Sequence, residues 1–218
     1  MKESVQERVR LAQIRSGATP EVSFTKLDLP TLITFETAVT FDRRCDPLTA
    51  HNELFQVFGQ PAGSGRFLFC ADSALPGRFW VRSVVPWVAP PASAISALDP
   101  KRIATQLATG LMYHFSLSVC VGEVSVVDGR KHVRPYQFSA QWENWFTKNG
   151  EEFGIRPLMV SVMQRNLRFE HEGAAFRIDF AVLEGALEVA DTDRLIRRLL
   201  RGFGSHRRLG LGMLKLQS

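Results

Sequence analysis

The chain has 218 residues, 45% hydrophobic and 22% charged, an ordinary globular composition with room for one large domain or two small ones. No apolar run approaches the roughly 20 residues of a membrane span, and the charged opening MKESVQERVRLAQIRSG has no apolar core of a secretory signal. The formal charge of +5 is lopsided: residues 194–218 carry seven cations and no acid, which leaves −2 for the rest.

That local basicity suits a site for a polyanion, although arginines on a solvated helix face give the same count. Cys45, Cys70 and Cys120 are odd in number and far apart, which predicts reduced thiols in a cytoplasmic protein and no zinc site.

Residues 1–29 read as an appendage, a mixed-charge helix broken by Gly17 and Pro20. From Leu32, LITFETAVTF is rich in β-branched and aromatic residues and predicts a strand. Asp46 and Pro47 suit an N-cap and a first helical position, with Leu48, Leu54, Phe55 and Phe58 as the apolar face and Gly59 as the stop. RFLFCAD and RFWVRSVV predict strands joined across SALPG. PWVAPPASAISALDP reads as a loop with a short helical turn before the strand KRIATQL.

The second half repeats this order. LMYHFSLSVCV predicts a strand, and EVSVVDGRKHVRPY a hairpin or basic loop carrying Arg130, Lys131, His132 and Arg134. SAQWENWFTKNGEEFG predicts one helix, capped by Ser139 and buried through Trp142, Trp145 and Phe146. Two strands then meet near Gly173, with Phe176, Ile178, Phe180 and Val182 alternating with Arg177, Asp179 and Ala181. DTDRLIRRLLRGFG predicts a helix capped by Asp191, and RRLGLGMLKL a last strand. The fold class is therefore α+β: two tandem ferredoxin-like βαββαβ units, over residues 30–108 and 109–218.

In the final helix Leu195, Ile196, Leu199 and Leu200 form the buried stripe, with Arg194, Arg197, Arg198 and Arg201 off it. Gly202 suits the position after the helix. A strand through residues 209–213 would place Leu209, Leu211 and Met213 on one face and Gly210 and Gly212 on the other. A bare glycine face admits either a close-packed helix or a nucleic acid. Dinucleotide and P-loop motifs do not fit, because here the helix precedes the glycines and Leu211 follows Gly210.

The run GFGSHRRLGLGMLKL resembles the glycine-rich loop of the CasE-type CRISPR repeat-RNA endoribonucleases, at Gly202, Gly204, Arg207, Gly210, Gly212 and Leu214. DPLTAHNELFQVFGQPAGSGRFLFCAD is similar to that family's first helix with its histidine, here His51. GLMYHFSLSV and WENWFTKNGEEFGI resemble the opening of its second domain, so the likeness spans roughly residues 32–218. The resemblance implies two ferredoxin-like domains that grip a repeat hairpin in a CRISPR transcript. It implies cleavage without metal or cofactor by 2′-hydroxyl attack, giving a 2′,3′-cyclic phosphate, and retention with other subunits of a Cascade-like effector complex.

By the same resemblance His51 is the catalytic residue. RNA contacts fall to Arg130, Lys131 and Arg134 and to the loop residues Arg201, Gly202, Gly204, Ser205, His206, Arg207, Arg208, Gly210 and Gly212. One departure stands out: the family places a tyrosine three residues before the histidine, and this chain has Leu48. Ser205 and His206, then Tyr113 and His114, are the candidates to replace it. The alternative is a non-catalytic subunit that binds the RNA hairpin. The residues themselves support His51 chemically, since imidazole exchanges protons near neutral pH, but a helix-start histidine is also an ordinary surface feature.

Overall fold

The computed structural model describes residues 30–58, 67–72, 74–127 and 129–217. The expected helix in residues 1–29 and the Gly59 stop lie outside the described residues. Strand β1 (Thr31–Thr40) leads to helix α1 (Pro47–Phe58). The helix starts as the sequence predicts: Asp46 Oδ1 accepts the N–H groups of Leu48 (2.8 Å) and Thr49 (3.1 Å). Pro47, Ala50, Leu54 and Phe58 are buried at helical spacing. Phe55, expected beside them, is 45% exposed, because it lies a further 100° round the helix from Leu54.

Strands β2 (Phe67–Ala71) and β3 (Arg78–Ser83) pair antiparallel, and β3 pairs with β1. The expected helical turn after β3 is not formed. Four prolines, Pro86, Pro90, Pro91 and Pro100, deny that stretch helical N–H donors. Its one regular piece is the two-residue strand β4 (Ser96–Ala97), which shares an edge of β1 with β5 (Lys101–Gln106). The order β2-β3-β1-β5 is that of a ferredoxin-like sheet, here with one helix.

The second unit keeps both helical layers. Strand β6 (Met112–Val119) is followed by the hairpin β7 (Gly122–Val127) and β8 (Arg130–Pro135). The single predicted helix is two: α2 (Ser139–Lys148) and the turn α3 (Gly150–Phe153). Ser139 is the first helical residue and not the cap. The Gln141 side-chain carbonyl instead takes the N–H groups of Gln137 (3.0 Å) and Phe138 (3.1 Å). Strands β9 (Ile155–His171) and β10 (Ala174–Val189) then run to helix α4 (Thr192–Arg201) and strand β11 (Leu214–Gln217). Asp191 caps α4 through the Arg194 N–H at 2.9 Å.

The second sheet has the order β11-β6-β10-β9, again ferredoxin-like. Trp142, Phe146, Leu195 and Leu199 cover its inner face, to which β10 contributes Ala181, Leu183 and Leu187. Beyond Val119, the last β6 residue paired with β10, the β9–β10 hairpin continues as a two-stranded arm. Its turn, Glu172–Gly173, has positive φ at both residues (51° and 76°), the type I′ geometry that matches strand twist.

The predicted last strand is corrected most. Arg207–Leu209 is a short 3-10 turn, and regular strand begins only at Leu214. Gly210 and Gly212 have φ values of 76° and 91°, which a strand cannot contain, so the alternation of leucine and glycine does not make two faces. The domains meet where this loop lands. Met213 packs with Leu68, Cys70 and Trp80, and Arg82 joins Glu36 (2.8 Å) to the Leu214 carbonyl (2.7 Å).

Candidate nucleic-acid interface and active site

His51 sits on the second turn of α1, half-buried, with ring centroids of Phe55, Phe67 and Phe69 at 6.1, 5.5 and 6.0 Å. Its Nδ1 is buried and has no hydrogen-bond partner among the described residues, so Nε2 is the nitrogen left for chemistry. Burial, and after it the charge of Arg208, holds the His51 pKa below its ordinary 6.5. The imidazole is therefore neutral at pH 7, the form that accepts a proton. Arg208 belongs to the second domain, so the fold brings the helix-borne histidine and the glycine loop together.

The loop is stitched to the end of β6. Ser205 N–H donates to the Cys120 carbonyl (2.9 Å), Gly212 N–H to the Ser118 carbonyl (2.7 Å), and Phe203 N–H to the Gly212 carbonyl (2.9 Å). Ser205 Oγ also donates to the Cys120 carbonyl (2.9 Å). Its single proton is then used, so its 2.8 Å contact with His206 Nδ1 is donated by the ring. His206 Nε2 is left with a lone pair, and burial lowers the pKa of this histidine too. The residue adopts a left-handed conformation (φ 59°), a strain that a held loop sustains.

The glycines pack inward. A Cβ on Gly212 would lie 2.3 Å from the Phe203 carbonyl oxygen, and one on Gly210 3.2 Å from the Phe69 ring. Gly202, Gly210 and Gly212 are buried, whereas Gly204 is exposed. The close approach permitted at Gly210 is thus to the ring that also faces His51.

The C-terminal arginines divide into two sets. Arg194 pairs with Asp191 (3.2 Å), Arg198 pairs with Glu152 and lies over the Phe153 ring, and Arg207 Nη1 donates to the Arg201 carbonyl (2.6 Å) at the end of α4. Among the described residues, Arg197, Arg201 and Arg208 form no ion pair and remain available to an anion. His132 and Arg134 are exposed on β8, which also carries Arg130 and Lys131.

Of the other candidates, Tyr113 donates its hydroxyl to the Gln106 carbonyl and ties β6 to β5, and His114 is exposed on β6. Leu48 is half-buried and three residues from His51, hence on the same helix face. Burial, followed by Asp46, Glu53 and Asp42, pushes the Cys45 pKa up to about 11 and keeps its thiol protonated at neutral pH.

Sequence reasoning missed one contact at this site. His171 Nδ1, at the tip of the β9–β10 arm, donates to Asp46 Oδ2 across 3.2 Å. Burial alone would raise the Asp46 pKa, but hydrogen bonds from Thr49, His171 and Leu48 outweigh it and hold the carboxyl below its usual value. Asp46 as a helix cap was legible, whereas an arm 125 residues away reaching that cap was not.

The chain thus folds as two ferredoxin-like domains that meet at a basic glycine loop. A profile of CRISPR associated proteins matches residues 31–218, and the chain belongs to that family. No curated protein sequence matches it. Thermus thermophilus Cse3 bound to an RNA representing a pre-cleavage complex has the same fold, at 20% identity and TM-score 0.69 over 86% of this chain and 100% of that one. So does the CRISPR-associated protein Cas6e of Escherichia coli K-12, at 19% identity and TM-score 0.65 over 85% and 98%. A chain of a CRISPR RNA-guided surveillance complex matches at 15% identity and TM-score 0.61 over 85% and 98%.

Proposed function

We propose that this chain is a metal-independent endoribonuclease that cuts CRISPR precursor RNA at the repeat hairpin and stays on the product within an effector complex. The observation that carries this reading is the meeting of a neutral His51 with Arg208 across the two domains. The fold shared with RNA-bound Cse3 and with a surveillance-complex chain supports it.

In the proposed reaction the ribose 2′-oxygen attacks the adjacent phosphorus while its proton passes to His51 Nε2. The 2′-O–P bond forms and the P–O5′ bond breaks, leaving a 2′,3′-cyclic phosphate and a 5′-oxygen protonated by water. Arg208 offsets the added negative charge on the phosphoryl oxygens. Ser205, His206, Arg207 and Arg201 line the RNA path, Arg130, Lys131 and Arg134 hold the stem, and Gly202, Gly204, Gly210 and Gly212 shape the loop.

A second reading, an RNA-binding subunit without cleavage, is favoured by Leu48 and by the unpartnered His51 Nδ1. Among the described residues no hydrogen bond to Nδ1 orients the imidazole, and the helix residues on its face, Leu48, Leu54 and Phe55, supply no second proton. Incubation with a labelled matched repeat in EDTA separates the readings. Cleavage is expected to survive EDTA and to fall roughly 10²- to 10⁴-fold in His51→Ala, the usual worth of a placed acid or base. Hairpin affinity is expected to stay the same. Equal cleavage by His51→Ala refutes the assignment, and a parent that binds but never cuts establishes the second reading.

A further inference from the structure

Arg82 is a nearly buried cation that the proposed reaction does not use, its side chain only 12% exposed. Phe79 and Val81 of β3 pack on α1, so Arg82 points to the opposite face of the sheet. Its neighbours across the strands there are Leu68 of β2 and Glu36 of β1. Leu68 meets the start of the glycine loop: a Cβ on Gly202 would lie 3.0 Å from its Cδ2. Arg82 meets the end of the loop, donating from Nη1 to the Leu214 carbonyl at 2.7 Å. Glu36 accepts from Arg82 Nε at 2.8 Å and so fixes the direction of the planar guanidinium. One row of cross-strand residues thus holds both ends of the loop that carries Arg208.

That row bears on where the loop sits relative to α1. Within the second domain the loop has little freedom, since the Ser205 and Gly212 N–H groups tie it to the end of β6. It therefore moves with its domain, and the contacts between the domains set its distance from His51. The packing at this joint is apolar, Met213 against Leu68, Cys70 and Trp80, and apolar contact has no preferred direction. Nor is the joint close-packed. A cavity of about 250 Å³ lies beside Arg82, lined also by Glu36, Ile103, Leu199, Met213 and Lys215. A guanidinium with both partners fixed supplies the direction that the packing lacks.

We propose that Arg82 is a positioning residue for cleavage, which rests on the catalytic reading above: it fixes the glycine loop against the first domain so that Arg208 stays beside His51. Arg82 acts through Arg208 and not on the reacting atoms, because its Nε and Nη1 are engaged by Glu36 and Leu214. Without the latch the second domain slides over its apolar contacts and carries Arg208 away from the phosphate. A misplacement of about 1 Å in a site of this kind can slow the reaction roughly 100-fold.

The test removes the donors with Arg82→Met, combined with Glu36→Gln so that no carboxylate is left without its cation. Single-turnover cleavage should fall about 10- to 100-fold, with hairpin affinity unchanged. Arg82→Lys keeps the charge beside Glu36 but not the fork, and its rate should fall between. The second readout is the His51 pKa, followed by NMR of the imidazole. Burial and then Arg208 hold it below 6.5, so a loop that slips away should let it rise toward that value. Arg208→Gln should raise it as well, and adding the Arg82 change to Arg208→Gln should raise it no further. A residue with only a general role in stability would add to Arg208→Gln, and that result overturns the proposal. So does a folded Arg82 variant whose His51 pKa is the parent's, whatever its rate. If the combined variant does not fold, Arg82→Lys is judged by the same two readouts. A parent that never cuts refutes the catalytic reading alone, and the His51 pKa still decides for or against the latch.

Discussion

Replacing Asp46 separates two jobs that one carboxylate performs. Oδ1 caps α1 through the Leu48 and Thr49 N–H groups, and Oδ2 accepts from Thr49 Oγ1 (2.6 Å) and from His171 Nδ1 (3.2 Å). Loss of an N-cap costs about 0.5–2 kcal/mol. The His171 contact joins side chains only 22% and 12% exposed, so it is worth about 0.5–1.5 kcal/mol, the range of an ordinary net hydrogen bond. Asp46→Ala should therefore lose about 1–3.5 kcal/mol in urea unfolding. Asp46→Ser keeps a good cap but cannot reach His171, so it should lose only the clasp. His171→Ala should match Asp46→Ser, and the two together should cost no more than either alone.

The same carboxylate sets an acid limit. Its folded pKa lies below the ordinary 3.8, so its contribution is full above that value and is lost as pH falls through the lowered one. Because the cap opens the helix that carries His51, weakening the clasp should also slow single-turnover cleavage with hairpin affinity held. Additive effects of Asp46→Ser and His171→Ala would refute the clasp. Full activity in His171→Ala would refute its link to the site.

Three further outcomes are expected. His51 and His206 both have lowered pKa values, so below about 6.5 the unfolded chain takes up protons that the folded chain refuses. Urea stability should fall with falling pH in that window, and cleavage by a His51 base should fall on the acid side and plateau at neutral pH; a rate that climbs as pH falls would make His51 an acid instead. Gly212→Ala meets both a positive φ and the Phe203 carbonyl 2.3 Å away, whereas Gly110→Ala has positive φ and open space around it. The second should cost about 1–2 kcal/mol and the first clearly more by thermal melting, and equal losses would contradict the packing described. Arg201→Ala with Arg208→Ala should flatten the slope of log affinity against log salt by roughly one to two, and Arg207→Ala alone should mainly destabilise the α4 terminus; an unchanged slope in the double variant would make these arginines a solvated face.

The first helix was readable because its start rests on local chemistry: a carboxylate that caps and a proline that fixes φ. The long arm was readable for a similar reason, since Gly173 marks its turn and the residues either side favour strands. The start of the last strand was not readable, because LGLGMLKL alternates like a strand throughout while its glycines take positive φ to fold the loop against Phe69 and Phe203. A period of two in sequence is then produced by packing at two glycines and not by a pleat. The arginines show a related gap. Their count was plain, but the acidic partners of Arg194 and Arg198 lie on α3 and in the cap of α4, and only the tertiary fold brings them close.

The surroundings of His51 fix what kind of site it can make. Its neighbours are phenylalanine rings and a guanidinium, and both disfavour the imidazolium that would form when it takes a proton. Leu48, on the same helix face, brings neither an acceptor to steady the ring nor a hydroxyl to protonate the leaving oxygen. One of the two proton transfers in the proposed cleavage is therefore helped by the protein and the other is left to water. Such a site gives up rate while the arginines without ion pairs stay available to an anion. An enzyme that must turn over many times is poorly served by that arrangement, whereas one that cuts once and then holds its product loses little by it.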